Sequence, residues 1–498
     1  MLIWLILIPV IAAALIGLAK APGRLTALVS AAITLILGLG AVFCPHCGQC
    51  CCEPSALQFT VDPAVLPLAK VMLLLTVIVT FAAILGLKAP DKDAERSWSI
   101  SALLLSTGAM GAFMSDNIIA FYGFHELALI PTFVMIGCYG RGDRRTISWT
   151  ATIYLGLASM VLLAGLLLLC GEMHCYEFST MAKAVRAGMM PEHTCLIGGL
   201  LLLGFGTLVS LFPFHSWAAP AYASAPTPIA MLHAGVLKKF GLYGLFTLAF
   251  IFTGGKLGEI FGGWNNILLV LLLGNVLWVG IVTIAQKRLD DMLGNSSVMH
   301  MGYLFLAFAV VVAGCGPVAT EMAVKGAALL MLAHGLTIAM LFLLTGQIES
   351  QTRTLEMDAM GGLAQKLPWL GFLFGLAGLA SIGLPLLANF PGEFTVFYSC
   401  FVDWHPGTEG CCALANWLGG LGPVQLTLVF ALWGLVISAV YMLRAFRTIF
   451  NGDVSRASGR ATKLCCLDTA AAIVLALAIV LFGILPYIVS NLVPTIGA

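Results

Sequence analysis

Apolar residues in this chain come in long unbroken runs rather than in the alternating or one-sided stripes of a soluble protein. Each run is about 20 residues, the length an α-helix needs to cross the hydrocarbon core of a bilayer. Polar residues gather in short clusters between the runs. Fourteen spans can be placed, at 2–19, 25–43, 64–87, 99–115, 118–139, 150–170, 196–212, 228–253, 266–286, 298–314, 323–348, 370–401, 423–447 and 469–492. The pattern predicts an all-α polytopic membrane protein of about fourteen transmembrane helices. Pro385 and Pro391 interrupt the twelfth span, and Pro213 follows directly on the seventh. Proline removes a backbone donor and crowds the preceding turn, so both places are predicted breaks. Unpaired backbone at membrane depth is tolerated only where it lines a cavity or is buried in protein. The first run lacks a positive n-region and a small-residue cleavage site and reads as a retained helix.

Composition agrees with the pattern. Of 498 residues, 60% are hydrophobic and 9% charged, against about 25% charged in globular chains. The net charge of +1 gives no reason to expect a nucleic-acid partner. No Walker loop, dinucleotide fingerprint or kinase signature occurs, so energy does not arrive through a nucleotide bound to this chain.

The few loop charges predict orientation. Fifteen Lys and Arg residues, from Lys20 to Lys463, lie in connections after odd-numbered spans, and only Lys183, Arg186 and Lys256 lie after even-numbered ones. That asymmetry puts the odd loops inside and both termini outside. Twelve of the fifteen cysteines then fall in or beside outside loops: Cys44, Cys47, Cys50, Cys51, Cys52, Cys170, Cys175, Cys195, Cys315, Cys400, Cys411 and Cys412. In an oxidising compartment disulfides are expected there. Cys44, Cys47 and Cys50 with His46 also match a fragment of a metal or iron–sulfur spacing, but a fourth ligand at matching spacing is missing. Disulfides or free thiols are the stronger reading, and the pairing is not set by spacing.

Candidate chemistry is confined to ionisable groups inside the spans. The stretch 121–140, FYGFHELALIPTFVMIGCYG, carries Glu126 near its middle. A carboxylate at the bilayer centre costs about 2.5–3.5 kcal/mol on insertion scales, so it should face protein or water and is a proton site by default. The plain alternative is an inert acid held neutral by a hydrogen bond; Tyr122, one turn earlier, is placed to donate one. Lys238, in VLKKFGLYG, lies too deep to snorkel easily and suits proton exchange, or else a static counter-charge. Lys239 points about a quarter-turn away, and of the two Lys238 is preferred. Glu393 follows the break in GLPLLANFPGEF, where an acid can be hydrated at the exit end of a proton path; it could instead cap the half-helix after Pro391. His334 lies mid-span and could relay a proton between acid and base, or be a satisfied core residue. His300, near the inside end of its span, is a weaker version of the same case. His215 and His233 read as structural, and Lys70 and Lys325 as snorkelling.

Five segments in order carry a resemblance: FYGFHELALIP, FPFHSWAAPAYASAPTPIAMLHAGVLKKFGLYG, NSSVMHMGYLF, LMLAHGLTIAMLFLLTGQ and GLPLLANFPGEF. They resemble the antiporter-like subunits of respiratory complex I, in particular the subunit M (mitochondrial subunit 4) type of proton-translocating NADH:quinone oxidoreductase. The resemblance covers residues 100–450. It implies three N-terminal helices (1–98), two inverted five-helix repeats (99–253 and 266–449), each with a broken helix, and a C-terminal helix (469–492). It further implies a hydrated axis in which Glu126, Lys238 and Glu393 are the fifth-, eighth- and twelfth-span charges and His300 and His334 the connecting histidines. Protons would cross through this chain while electrons move in partner subunits that hold the iron–sulfur clusters and flavin; no cofactor is expected here. The implied setting is a bacterial inner membrane, among other membrane subunits. Two related assemblies share these motifs: a membrane-bound hydrogenase or formate hydrogenlyase complex, and a multi-subunit Na⁺/H⁺ antiporter.

This chain departs from that family at one position. Members carry a lysine nine residues before the tryptophan of the FHxW motif; Trp217 puts that position at Leu208. An opposite charge at about 4–6 Å is what normally supports an ionised carboxylate, and Glu126 lacks this one. Another base substitutes, or this chain couples differently or not at all. Tyr222 stands where the family has a histidine after the same motif.

Overall fold

The computed structural model describes residues 2–44, 59–253, 255–405, 420–462 and 466–495. Among them every regular element is a helix, with three isolated β-bridges between loops. Ten helices or helix pairs are long and apolar enough to cross a membrane, and four shorter apolar helices fall on the remaining predicted spans.

The first part of the chain runs α1 (Leu2–Gly17), α2 (Gly23–Phe43), α3 (Ala69–Leu85), α4 (Lys92–Met114), α5 (Ile118–Tyr139) and α6 (Arg144–Met173). Polar residues start three of these as local chemistry dictates. Asp91 accepts from Ala94 N at 2.7 Å, Asn117 from Ala120 N at 3.1 Å, and Asp143 from Thr146 N at 3.3 Å. These caps lengthen α4 and α6 beyond the predicted 99–115 and 150–170, because the helix continues past the apolar run into polar residues. A short helix the apolar pattern does not predict, α7 (Phe178–Arg186), lies on its buried Phe178, Met181 and Val185.

Two breaks fall where proline predicts them. α8 (Thr194–Val209) ends at Ser210 in a left-handed conformation (φ 68°), passes a cis Phe212–Pro213 bond, and resumes as α9 (Ala218–Ser224). α17 (Pro368–Ile382) ends at Gly383 (φ 83°) and resumes as α18 (Asn389–Ser399). Two further interruptions are not predicted. The eighth span is α10 (Thr227–Gly235), a 3₁₀ turn over Leu237–Lys239, then α11 (Phe240–Ile251). The ninth is α12 (Lys256–Leu273), a π-helical turn over Gly274–Val279, then α13 (Gly280–Ala285). α14 (Leu289–Ala313) and α15 (Pro317–Thr352) follow. The short α16 (Leu363–Lys366) precedes α17. After α18 come α19 (Pro423–Ala431), α20 (Trp433–Phe450), α21 (Cys466–Ile484) and α22 (Tyr487–Ser490).

The helices sort into a buried centre and a half-exposed rim. α10–α11, α14 and α15 are almost wholly enclosed by protein, while α2, α5, α6, α12–α13, α19–α20 and α21 expose more than half of their apolar windows. α15 is the axis: at 36 residues it is about 54 Å long (1.5 Å per residue) and packs on α3, α10, α14, α17, α18 and α21. It meets α10 glycine on glycine. A Cβ on Gly335 would lie 2.7 Å from the Gly235 carbonyl oxygen, and one on Gly235 would lie 3.0 Å from that of Gly335. Small residues let membrane helices approach this closely, and here the approach brings the polar residues of the two helices together.

Candidate functional site

Glu126 sits on α5, a rim helix, and its side chain is 36% exposed rather than enclosed. It looks into a cavity of about 170 Å³ between α5 and α6, shared with Thr132, Thr152 and His233. The Ser159 hydroxyl of α6 donates to its carboxylate, and the Tyr122 hydroxyl lies 3.0 Å from the same Ser159 oxygen. Tyr122 thus joins the cluster expected of it. The nearest cationic candidate is the adjacent His125, with Nδ1 3.5 Å from Glu126 Oε1. No lysine lies within 4 Å of Glu126 among the described residues, and Leu208 is buried in the apolar core.

The two lysines are both buried, Lys238 at 2% exposure and Lys239 at 0%. The 3₁₀ turn that carries them sends them apart. Lys238 Nζ reaches Ser297 Oγ of α14 at 3.2 Å and lies 5.2 Å over the Tyr222 ring. Lys239 Nζ donates to the Ala234 carbonyl at 2.7 Å and lies 3.0 Å from His334 Nδ1. Lys239, which the sequence ranks second, therefore makes the direct contact with a candidate histidine. The two lysines are adjacent in the chain and both buried, so a charge on one disfavours a charge on the other.

Beyond His334 the polar groups continue. Its ring centre is 5.7 Å from that of His300. His300 lies in the middle of α14 rather than near an end, because that helix begins at Leu289, well before the predicted 298. Its Nδ1 is 2.9 Å from the Ser296 carbonyl and its Nε2 is 2.9 Å from the Ser381 carbonyl, at the end of α17. The break in the twelfth span is thus tied to the histidine. Tyr303 lies 6.0 Å from the His300 ring. Glu393 on α18 is 3% exposed, and its Oε1 has no hydrogen-bond partner among the described residues. It sits a full turn into α18, which carries no side-chain cap bond, so helix capping does not account for it. Thr337 of α15 and Asn389 of α18 meet at 3.1 Å beside this region.

At the end of the bundle where the odd-numbered loops gather, a polar cavity of about 670 Å³ is lined by Lys88, Arg141, Thr227, Glu349, Arg353 and Asp468, among others. Arg141 holds its wall. It pairs with Glu349 at 2.6 Å and donates to the Ala225 carbonyl at 2.8 Å, tying the loop after α5 to the α9–α10 turn and the end of α15. Lys325 pairs with Glu321, one turn nearer the start of α15.

Structure thus brings Lys239, His334 and His300 into one line and sets Lys238 beside it. Glu126 stands apart at the rim. Sequence reading missed the hydroxyls of Ser159, Ser297 and Tyr303, which carry no motif and are recognised only by what they touch. It also set aside His233, which shares the Glu126 cavity. Cys138, Cys170, Cys175, Cys195, Cys315, Cys400 and Cys466 are free thiols, and no group of three His, Cys, Asp or Glu residues able to hold a metal occurs among the described residues. His46, Cys47, Cys50, Cys51, Cys52, Cys411 and Cys412 lie outside the described residues.

The family described as NADH:quinone oxidoreductase/Mrp antiporter, transmembrane, matches residues 115–408. NAD(P)H-quinone oxidoreductase chain 4 1 of Synechococcus sp. (strain JA-2-3B'a(2-13)) is 31% identical over 354 residues, 70% of this chain and 62% of that one. NADH-quinone oxidoreductase subunit M of Rickettsia prowazekii (strain Madrid E) is 27% identical over 428 residues, 85% of this chain and 80% of that one. The chain spans a little under two thirds of the length of the first such relatives. A chain of respiratory complex I from Thermus thermophilus with bound NADH shares the fold, with a TM-score of 0.82, 24% identity and coverage of 99% of this chain and 98% of that one. An all-helical membrane protein with these breaks and a match over more than half its length, the chain belongs to the NADH:quinone oxidoreductase/Mrp antiporter transmembrane family.

Proposed function

We propose that this chain is a proton-translocating membrane subunit of a complex I-type NADH (or related donor):quinone oxidoreductase. The observation that carries the reading is the buried run Lys239–His334–His300, which reaches the α17–α18 break where Glu393 lies against Gly383. A protein that only needed packing would fill these positions with apolar side chains, because each buried polar group costs free energy unless satisfied. Proton exchangers at spacings that one hydrogen bond or one water can bridge are what a proton path requires.

Glu126 takes up and holds a proton, with Ser159 and His125 steadying the carboxylate. Lys238 and Lys239 exchange it in the centre, where mutual repulsion keeps the pair from retaining two charges. His334 and His300 pass it on, and Glu393 releases it beside the α17–α18 break. Electron transfer takes place in partner subunits, which hold the iron–sulfur clusters and flavin. Their signal sets when the central groups load and unload. The loop charges support an inside face at the odd-numbered connections, where the 670 Å³ polar cavity opens. The setting is a bacterial inner membrane with both termini outside. Two further features support division into halves at 99–253 and 266–449. These are the broken helices, one in each half: α8–α9 and α17–α18.

The test is Glu126→Gln in the intact assembly, reconstituted into sealed vesicles. Protons moved per quinone reduced should fall by the share this chain carries. An unchanged ratio removes Glu126 from the mechanism. The family also includes Mrp antiporters, so subunits that copurify in mild detergent are decisive for the assembly. Iron–sulfur and quinone-site subunits support the respiratory reading; small antiporter subunits alone overturn it in favour of Na⁺/H⁺ exchange.

A further inference from the structure

Glu126 and Lys238 make no contact, and the lysine that the seventh span would supply is Leu208. The residues filling the space between them are unusual in their hydrogen bonding. His300 has a backbone carbonyl beside each ring nitrogen. His215 and His233 do not: Nδ1 of each is buried with no hydrogen-bond partner among the described residues, and so is the Tyr222 hydroxyl; His125 Nδ1 makes no hydrogen bond either, and its polar neighbour is Glu126 at 3.5 Å. Unpartnered polar atoms grouped in one neighbourhood call for an explanation other than packing, since buried polar atoms are nearly always satisfied by protein or water.

Their placement is ordered. His125 Nδ1 lies 3.5 Å from Glu126, and its ring stacks on Phe240, directly after Lys239, at 3.8 Å and 17°. His233 lines the same 170 Å³ cavity as Glu126. That volume has room for several waters at about 30 Å³ each, with Thr132 and Thr152 as further polar partners. The His233 ring is held by Trp217, stacked at 5.8 Å, and Tyr222, edge-on at 5.1 Å. The other side of the Tyr222 contact is Lys238, whose Nζ lies 5.2 Å over the ring. His233 interacts electrostatically with both His125 and Lys238. His215, on the coil after α8, also feels Lys238, and its ring stacks on Phe212.

We propose that His233, flanked by His125 and Tyr222, is the proton carrier that links Glu126 to Lys238, in place of a seventh-span lysine. The inference rests on the proton-translocating reading above. The Glu126 carboxylic acid gives its proton, through water in the shared cavity, to a ring nitrogen of His233. The imidazolium releases a proton from its other nitrogen towards the Lys238 amine, alongside Tyr222. His233 returns to its neutral form, Glu126 is left as a carboxylate to be reloaded and Lys238 as an ammonium with the proton to pass on, and no electron moves.

The experiment uses the full assembly in sealed vesicles and reads protons moved per quinone reduced, so that poor assembly cancels from the ratio. His233→Leu removes the imidazole, and His233→Gln keeps a polar side chain that cannot carry a proton. Both are expected to lower the ratio to the Glu126→Gln level, and Glu126→Gln combined with His233→Gln should lower it no further, as carriers in series require. Tyr222→Phe, which deletes one oxygen, is expected to give a smaller loss. Parent ratios in His233→Gln and Tyr222→Phe, with Glu126→Gln impaired, overturn the inference and leave the proposed function standing. Where His233→Leu does not assemble, the other two variants decide. A parent ratio in Glu126→Gln itself removes the reading on which the inference rests.

Discussion

At the scale of single residues, the decisive difference lies between neighbours. Lys238 and Lys239 are indistinguishable by composition, and a regular helix separates them by about 100°. The 3₁₀ turn at Leu237–Lys239 changes that angle and gives Lys239 the contact with His334. Lys239→Met would leave the His334 ring nitrogen and the Ala234 carbonyl without this donor, at a cost of about 1–3 kcal/mol for buried groups stripped of a partner. Lys238→Met leaves only the Ser297 oxygen without this donor. Both variants should lower proton translocation. Lys239→Met should also lower the thermal unfolding midpoint of the purified assembly, by more than Lys238→Met. Equal midpoints would show that the Lys239–His334 contact does not hold the core. Glu126 teaches a second lesson at this scale. Its position in the chain marks it as a membrane acid, but its exposure follows from α5 lying on the rim.

Elements decide how these residues meet. α10 and α15 cross where Gly235 faces Gly335, and His334 and Lys239 lie within a turn or so of that crossing. A methyl on Gly335 would stand 2.7 Å from the Gly235 carbonyl oxygen and at similar range from Leu75. Carbonyl oxygens on a buried helix have little room to yield, so Gly335→Ala should destabilise by about 1–3 kcal/mol, the usual range for overpacking. It should also part Lys239 from His334. The expected outcome is a lowered unfolding midpoint together with reduced translocation; a parent-like midpoint would mean that the helices slide apart at little cost. Of the four interrupted helices, the two with proline breaks were legible from the sequence, since proline acts on its own backbone. The 3₁₀ turn of the eighth span and the π-turn at Gly274–Val279 were not. Their local sequences, VLKKF and GNVLWV, contain no proline and carry no signal that separates an irregular turn from a regular one.

For the whole molecule the open variable is orientation. Cys195 begins α8 and Cys466 begins α21; both thiols are exposed, and the topology predicted by loop charge puts them on opposite sides of the membrane. A membrane-impermeant maleimide added to intact cells stripped of their outer layer should label Cys195 and leave Cys466 unmodified until the membrane is opened, as peptide mass mapping would reveal. The reverse pattern would invert the topology and with it the direction of proton movement. At this scale too, the Arg141–Glu349 pair has a clear place. It closes the polar cavity by tying three separate connections together. Both partners are half-exposed, so its value lies in geometry more than in net electrostatic stabilisation.

By itself the sequence determined the membrane class, the succession of apolar segments, the two proline breaks, the end of the bundle at which positive loops gather and the family. Each depends on local quantities: the length of an apolar run, the chemistry of one backbone position, a count of charges, or a motif of contiguous residues. Tertiary structure alone decided which lysine meets His334, that Glu126 stands at the rim, that His300 is mid-helix and bound to the α17 break, and that His233 shares a cavity with Glu126. Those facts depend on the rotation of one helix against another across separations such as the 95 residues between Lys239 and His334. Hydrophobic periodicity is silent on that rotation in a helix that is apolar on every face, because such a helix has no polar side to orient it.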